Sequence, residues 1–283
     1  MTASASASQL LAGLALFGRK IRLTLEEAGQ FTIFTAAVVK TTAAAFRTWS
    51  RWDRFGPLLV DIGTRSIPVI AVTGGFIGMI LALETFAQFA AFGLEDRMGM
   101  IINVSVVKQI GPVLAAVMVA GRVGCSLAAE LGTMRVTEQI DAMRALAVNP
   151  IAALVVPRIV ACTIMTPILT VLSDITGITG GWLFTVVISG ASHSDYWTNA
   201  AWFVGWWEPM SGLIKATAFG FAIGLISCWK GYSCRGGAAG VGKATTSAFV
   251  ASFLAIIILN FFLADFLNAL EYFVLGGQLK SPL

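Results

Sequence analysis

Apolar residues in this chain run in long blocks, without the short-period alternation of a half-buried strand or helix. From Ser66 to Leu83 there is no charged side chain, and apolar character continues to Phe92. A second block covers about 99–121 with a single lysine, Lys108, and a fourth covers about 209–229 with Lys215 inside it. The block over about 151–190 is too long for one straight crossing and slightly short for two. It predicts one tilted helix, or one bent at Pro167 or in the Gly177–Gly181 stretch. The last block carries no charge between Lys243 and Asp265 and fades by Gly276, placing a fifth crossing over about 245–276. Each block meets the roughly 20 residues a helix needs to cross a bilayer. The pattern therefore predicts an all-α integral membrane protein with five transmembrane helices over residues 66–276.

Residues 1–65 differ in kind. Between Leu10 and Gly29, apolar positions mix with Arg19, Lys20, Arg22, Glu26 and Glu27, as in a helix lying on a membrane surface. Phe31 to Phe46 is apolar apart from Lys40 but short for a crossing. This predicts an N-terminal interfacial (elbow) helix lying in, or dipping into, the cytoplasmic leaflet. Trp49, Arg51, Trp52 and Arg54 read as an interface anchor ahead of Pro57. The first ten residues hold no Arg or Lys, which argues against a cleaved signal or transit peptide.

Composition agrees with the pattern and removes other classes of function. Of the 283 residues 57% are apolar, 29 more are glycine, and 12% are charged; soluble domains carry about 25% charged residues. One histidine, His193, and four scattered cysteines offer no recognisable zinc or iron–sulfur spacing. The net charge of +4 does not signal nucleic acid, because the basic residues collect beside the apolar blocks, where they bear on topology and anionic headgroups. Eight Lys/Arg lie in residues 1–65, three in the 122–150 loop and three in the 230–243 loop, whereas the other side receives only Arg97 and Lys280. The positive-inside rule makes the first side cytoplasmic, with the N-terminus inside and the C-terminus outside.

Two loops invite a functional reading. In Gly121–Pro150, the apolar positions Val136, Ile140, Met143 and Ala147 fall on one helical face, while Glu138, Asp141 and Arg144 lie three apart on another. Asn149-Pro150 ends that helix. Its polar face fits either a soluble partner or plain solvent, and pattern alone leaves both open. In Gly231–Thr246, Gly237, Gly242 and Lys243 mimic a phosphate-binding loop, but Ala244 stands where Ser or Thr would ligate magnesium and no strand precedes it. This stretch reads as a flexible turn that starts span five.

Within the blocks, small residues recur at helix-packing spacing: Gly74 and Gly78, Gly177 and Gly181, Gly220 and Gly224. They predict close helix packing, within the chain or across a dimer. Five ionisable residues within the blocks stand out as clues: Glu84, Lys108, Asp174, Lys215 and Asp265. A charge in hydrocarbon is costly enough that such residues face a cavity, a partner charge or the protein interior. Glu84, late in span one, and Lys108, early in span two, would pair toward the outer leaflet. The pair would hold a zwitterionic or anionic headgroup, or serve only as a structural ion pair.

At these residues the chain resembles a family. GRVGCSLAAELGTMRVTEQIDAM, with FIGMILAL (Phe76–Leu83), IGPVLAAVMVAGR (Ile110–Arg122) and GGAAGVGKATT (Gly236–Thr246), is similar to the MlaE/YrbE permeases of ABC transporters that work with MCE-domain proteins. The resemblance covers about Phe55 to Leu270 and keeps all its motifs in order. It implies a non-catalytic subunit that pairs with a second permease copy, an ABC ATPase dimer below and an MCE-protein hexamer above. Such assemblies move phospholipid or a related lipid between the inner membrane and the outer envelope. No cofactor is implied in this chain; ATP and magnesium belong to the ATPase.

By the resemblance, the 137–148 segment is a coupling helix, with Glu130, Arg135, Glu138, Asp141 and Arg144 facing the ATPase. Leu81, Phe89, Phe92, Lys108, Gln109 and Lys215 are placed at the lipid site by motif position, and Glu84, which stands where a neutral polar residue can occur, joins them through its expected pairing with Lys108. Phospholipid-transporting relatives often read Arg-Glu where this chain reads Lys108-Gln109, and they can carry an acid near Asn260, whereas the nearest here is Asp265. The charge of the pocket is thus rearranged. Two other readings fit the residues: an ion-coupled transporter using Glu84 and Asp174 as proton carriers, and a passive anchor for an MCE ring.

Overall fold

The computed structural model describes residues 22, 25–42, 44, 52–93 and 97–274. The first ten residues, where the sequence argues against a leader, most of the 10–29 surface helix, and Trp49 and Arg51 of the anchor lie outside them. Among the described residues every regular element is helical, with no strand. We label the helices α1 (25–42), α2 (Trp52–Thr64), α3 (Ile67–Ala90), α4 (Met98–Val136), α5 (Gln139–Ala145), α6 (Ile151–Ile188), α7 (His193–Phe203), α8 (Trp207–Tyr232) and α9 (Gly237–Val274). Among the described residues, five helical stretches are long and apolar enough to cross a bilayer: Phe55–Ala90, Met98–Val136, Ile151–Ile188, Trp207–Tyr232 and Gly237–Phe273.

The first stretch starts some ten residues before the block that the charge pattern marks. Asp61 and Arg65 hide the continuity, because they bind each other at 2.6 Å and stay exposed while the opposite side, with Phe55, Ile62 and Ser66, is buried. The chain turns at Arg65–Ser66. Pro68 follows at the start of α3 and has no N–H to give the Thr64 carbonyl. Arg122 Nη1 donates to Ser66 Oγ at 2.6 Å and clasps this turn against α4.

The third stretch is one helix. Pro167 lies inside it, and π-helical turns open and close it at Ile151–Val155 and Leu183–Ile188. Its glycines pack within the chain. A methyl group added at Gly78 of α3 would lie 1.9 Å from the carbonyl oxygen of Gly177, and one at Gly180 would lie 2.0 Å from that of Gly75. On the other side of α6, a methyl on Gly220 of α8 would approach the Cys162 carbonyl to 2.6 Å. Helix α6 is therefore the central post, with α3 and α8 pressed backbone to backbone against it.

Two expectations at the basic end of the bundle are corrected. The amphipathic segment drawn over 137–148 is helical only across Gln139–Ala145, bracketed by left-handed residues at Glu138 (φ 59°) and Ala147 (φ 57°). Of its apolar face, Ile140 is fully buried while Ala147 is exposed. The glycine-rich stretch read as a flexible turn is helix from Gly237 onward, after positive φ at Gly236 and Gly237. A phosphate-binding loop needs Gly237–Lys243 outside a helix, and here that segment is two turns of α9.

Candidate functional site

Two polar regions stand out from the apolar bundle, one within the spans and one at the basic end. The first is built on a π-helical turn of α4, Val106–Ile110, which carries Lys108 and Gln109. Such turns displace the side chains that follow from their α-helical register and are frequent at functional sites. Pro112, four residues after Lys108, has no N–H for the Lys108 carbonyl. Lys215 of α8 reaches that oxygen instead: its Nζ donates to Lys108 O at 3.0 Å and to Gln109 Oε1 at 2.7 Å. Lys215 is 1% exposed, so an ammonium sits inside the bundle on two neutral oxygens. Lys108 Nζ itself turns to Glu271 Oε2 of α9 at 2.8 Å, both side chains being about a quarter exposed.

The expected Glu84–Lys108 pair is therefore not formed. Glu84 is exposed on α3, and the acid that meets Lys108 comes from the far end of α9. Leu81 and Phe89 are half-buried against the cluster of Ala82, Met98, Ile102, Val106 and Tyr196, while Phe92 is exposed. Asp174 of α6 presses close to Gly111, the residue after the π turn, and its Oδ1 is buried without a hydrogen bond; so is Oδ1 of Asn260 on α9. Asp265 is exposed. Of the seven residues assigned to a lipid site, the structure brings Lys108, Gln109 and Lys215 into one network and leaves Glu84 and Phe92 outside it.

The second region surrounds α5. Asp141 Oδ1 accepts from Arg135 Nη1 at 2.7 Å and from Arg144 Nη1 at 2.9 Å. Arg144 also donates from Nη2 to the Tyr232 hydroxyl at 2.6 Å, with its guanidinium 5.7 Å from that ring's centre. The tyrosine bond, reinforced by Asp141, raises the Arg144 pKa further above the usual guanidinium value. Glu130, near the end of α4, takes Arg158 Nη2 at 3.2 Å and the Ser126 hydroxyl at 3.2 Å. Arg158 lies at the start of α6 and is buried, with Nη1 on the Leu154 carbonyl. Four of the five residues assigned to partner contact thus bind within the chain. Glu138 is the fifth, exposed in its left-handed turn, and Leu146 beyond α5 is 76% exposed.

Sequence reading missed Glu271, Arg158 as a partner of Glu130, and Tyr232. The first had a signal: after Lys243, the only acids of α9 are Asp265 and Glu271. So did the Lys215 contact, since a proline four residues after Lys108 leaves a carbonyl without its helical donor.

Fold and site together define a multi-pass all-α membrane protein whose spans enclose a small network of charged and amide groups. The model of the permease MlaE family matches residues 57–266, and the chain belongs to that family. A probable ABC transporter permease protein of Rickettsia bellii is 40% identical over 247 residues, 87% of this chain and 94% of the rickettsial one. The chloroplastic protein trigalactosyldiacylglycerol 1 of Arabidopsis thaliana is 36% identical over 215 residues, 76% and 61% of the two chains. The intermembrane phospholipid transport system permease protein MlaE of Haemophilus influenzae is 34% identical over 212 residues, 73% and 81% of the two chains.

Proposed function

We propose that this chain is the non-catalytic, inner-membrane subunit of an ABC transporter that moves phospholipid or a related lipid. It works as a pair of copies, with ATP and magnesium bound by a separate ATPase dimer and lipid exchanged with an MCE-protein hexamer on the outer side. In this reading the N-terminus faces the cytoplasm and the C-terminus the periplasm, which the excess of Lys and Arg on one side of the spans supports. Helix α9 is the least buried of the five candidate spans, and its free face is where the second copy is proposed to seat.

The observation that carries this reading is the polar network inside the spans of an MlaE-family chain. Lys108 and Glu271 present one positive and one negative group, each partly exposed, beside a buried ammonium. Opposed charges at this position suit a zwitterionic or anionic headgroup, with tails running along apolar helix surface such as that around Leu81 and Phe89. The partner ATPase would act on α5, and lipid would pass when the chain shifts between states that bind it differently. An ion-coupled mechanism loses Glu84, which is exposed, and keeps only Asp174 with its unpaired oxygen.

The test is to purify the native complex and analyse its lipids by mass spectrometry, then assay transfer in vesicles with and without the ATPase. Co-purifying ATPase, bound phospholipid and transfer that stops when ATP hydrolysis is blocked are the expected results. Transfer by this chain alone under a proton gradient would replace the proposal with ion coupling.

A further inference from the structure

The two charged residues of α5 are half exposed yet bind within the chain, and their endpoint is a tyrosine at the tip of α8. Tyr232 is the last residue of that helix and takes the Arg144 guanidinium on its hydroxyl and near its ring. On another side its ring meets Phe34 of α1 at 5.6 Å, and Phe34 in turn meets Trp229 at 5.1 Å. Phe31 of α1 completes the contact edge-on to Trp229 at 6.0 Å. The surface helix, the N-terminal helix and the tip of a spanning helix therefore converge on one side chain. Asp141 and Arg135 brace Arg144 from behind, so α5 cannot turn about its own axis without dragging that contact.

From Tyr232, α8 runs unbroken to Lys215, about 25 Å at ~1.5 Å per residue. Lys215 ends on the Lys108 carbonyl and the Gln109 amide. We propose that Tyr232 is a positioning residue that makes α5 and α8 move as one body. Displacement of the surface helix thereby reaches the Lys215–Lys108–Gln109 network along α8. The inference rests on the transporter reading above and adds the route by which work at the ATPase face alters the lipid-facing end. In this account Arg144 and Asp141 are parts of the joint and do not contact the ATPase, whose contact falls to Glu138 and the exposed Leu146.

The experiment uses the whole complex in phosphatidylethanolamine–phosphatidylglycerol vesicles and measures labelled phosphatidylglycerol moved per ATP hydrolysed. Tyr232→Phe keeps the ring against Phe34 and removes only the hydroxyl. The expected result is a ratio lowered about five-fold, in line with one net hydrogen bond lost from the joint, with the ATPase still bound. Arg144→Lys attacks the same contact from the other side, and the double variant should fall no further than the worse single variant. An unchanged ratio in Tyr232→Phe, two effects that multiply, or loss of the ATPase from either single variant would each overturn the inference. A wild-type chain that binds no ATPase sinks the transporter reading itself, and that is seen before any variant is made.

Discussion

The two polar regions use the same residue types under opposite physical conditions. Inside the spans, Lys215 is fully buried on two neutral oxygens, and the Lys108–Glu271 pair is three-quarters shielded. Around α5, Arg144 and Asp141 are about half exposed in their ion pair. A desolvated charge depends on each partner, because water cannot replace what is lost. Exposed ion pairs are screened and contribute about 0–1 kcal/mol each. The comparison teaches that stability should answer to changes in the first region. Changes in the second should show mainly in coupling.

The largest effect is expected from Gln109→Leu, which leaves the Lys215 ammonium with the Lys108 carbonyl alone. Hydrogen bonds to charged groups contribute roughly 1.5–3 kcal/mol, and a loss of about that size should lower the thermal midpoint of the purified protein. Adding Lys215→Met removes the charge that needs the bond, so the double variant should recover most of the loss. A double variant no more stable than Gln109→Leu would show that the buried ammonium is not the cause.

Glu271→Gln comes next. Its pair is partly open to solvent, so the expected cost is about 1 kcal/mol, near the upper end for screened pairs. The sharper readout is the bound lipid. With its partner neutral, Lys108 is free to hold an anionic headgroup, and mass spectrometry of the co-purified lipid should show a larger anionic share. An unaltered lipid profile would separate Lys108 from headgroup binding.

Arg135→Ala carries the contrast to the basic end. The arginine loses one ion pair with an exposed aspartate, and the change in stability should stay below ~1 kcal/mol by thermal unfolding. A cost of several kcal/mol would mean that the α5 network is structural in the same sense as the Lys215 site.

How far these regions could be read from the sequence follows from the same contrast. Five crossings are legible because hydrocarbon demands long apolar blocks, and the block over 151–190 announces its excess length. The start of the first stretch at Phe55 is hidden because Asp61 and Arg65 neutralise each other on the exposed side of an otherwise apolar helix. Lys108, Gln109 and Lys215 stand out as polar groups in apolar runs. Their partners do not, because Glu271 is distant in sequence and sits where hydropathy has faded. Spacing put Glu138, Asp141 and Arg144 on one helical face, but Glu138 precedes the helix, and the other two are taken by Arg135 and Tyr232. Periodicity reports which residues share a face. It says nothing about a tyrosine 88 positions away that claims one of them.

Glu138 is the residue at which the comparison can be made finest, because backbone and charge separate there. Its φ of 59° is a left-handed conformation that costs a non-glycine residue ~1–2 kcal/mol. Glu138→Gly relieves that strain but adds freedom to the unfolded chain, a penalty of roughly 0.5–1 kcal/mol. The two nearly cancel, so thermal stability should change by less than about 1 kcal/mol, the smallest shift of this series. The turn into α5 is kept, and the Arg135–Asp141–Arg144–Tyr232 chain is untouched. What disappears is one exposed carboxylate, so weaker binding of the proposed ATPase partner by the glycine variant would assign the proposed contact to that charge. Binding at wild-type strength would assign it to the shape of the turn and to Leu146 beyond it, and Leu146→Asp should then abolish what Glu138→Gly spared.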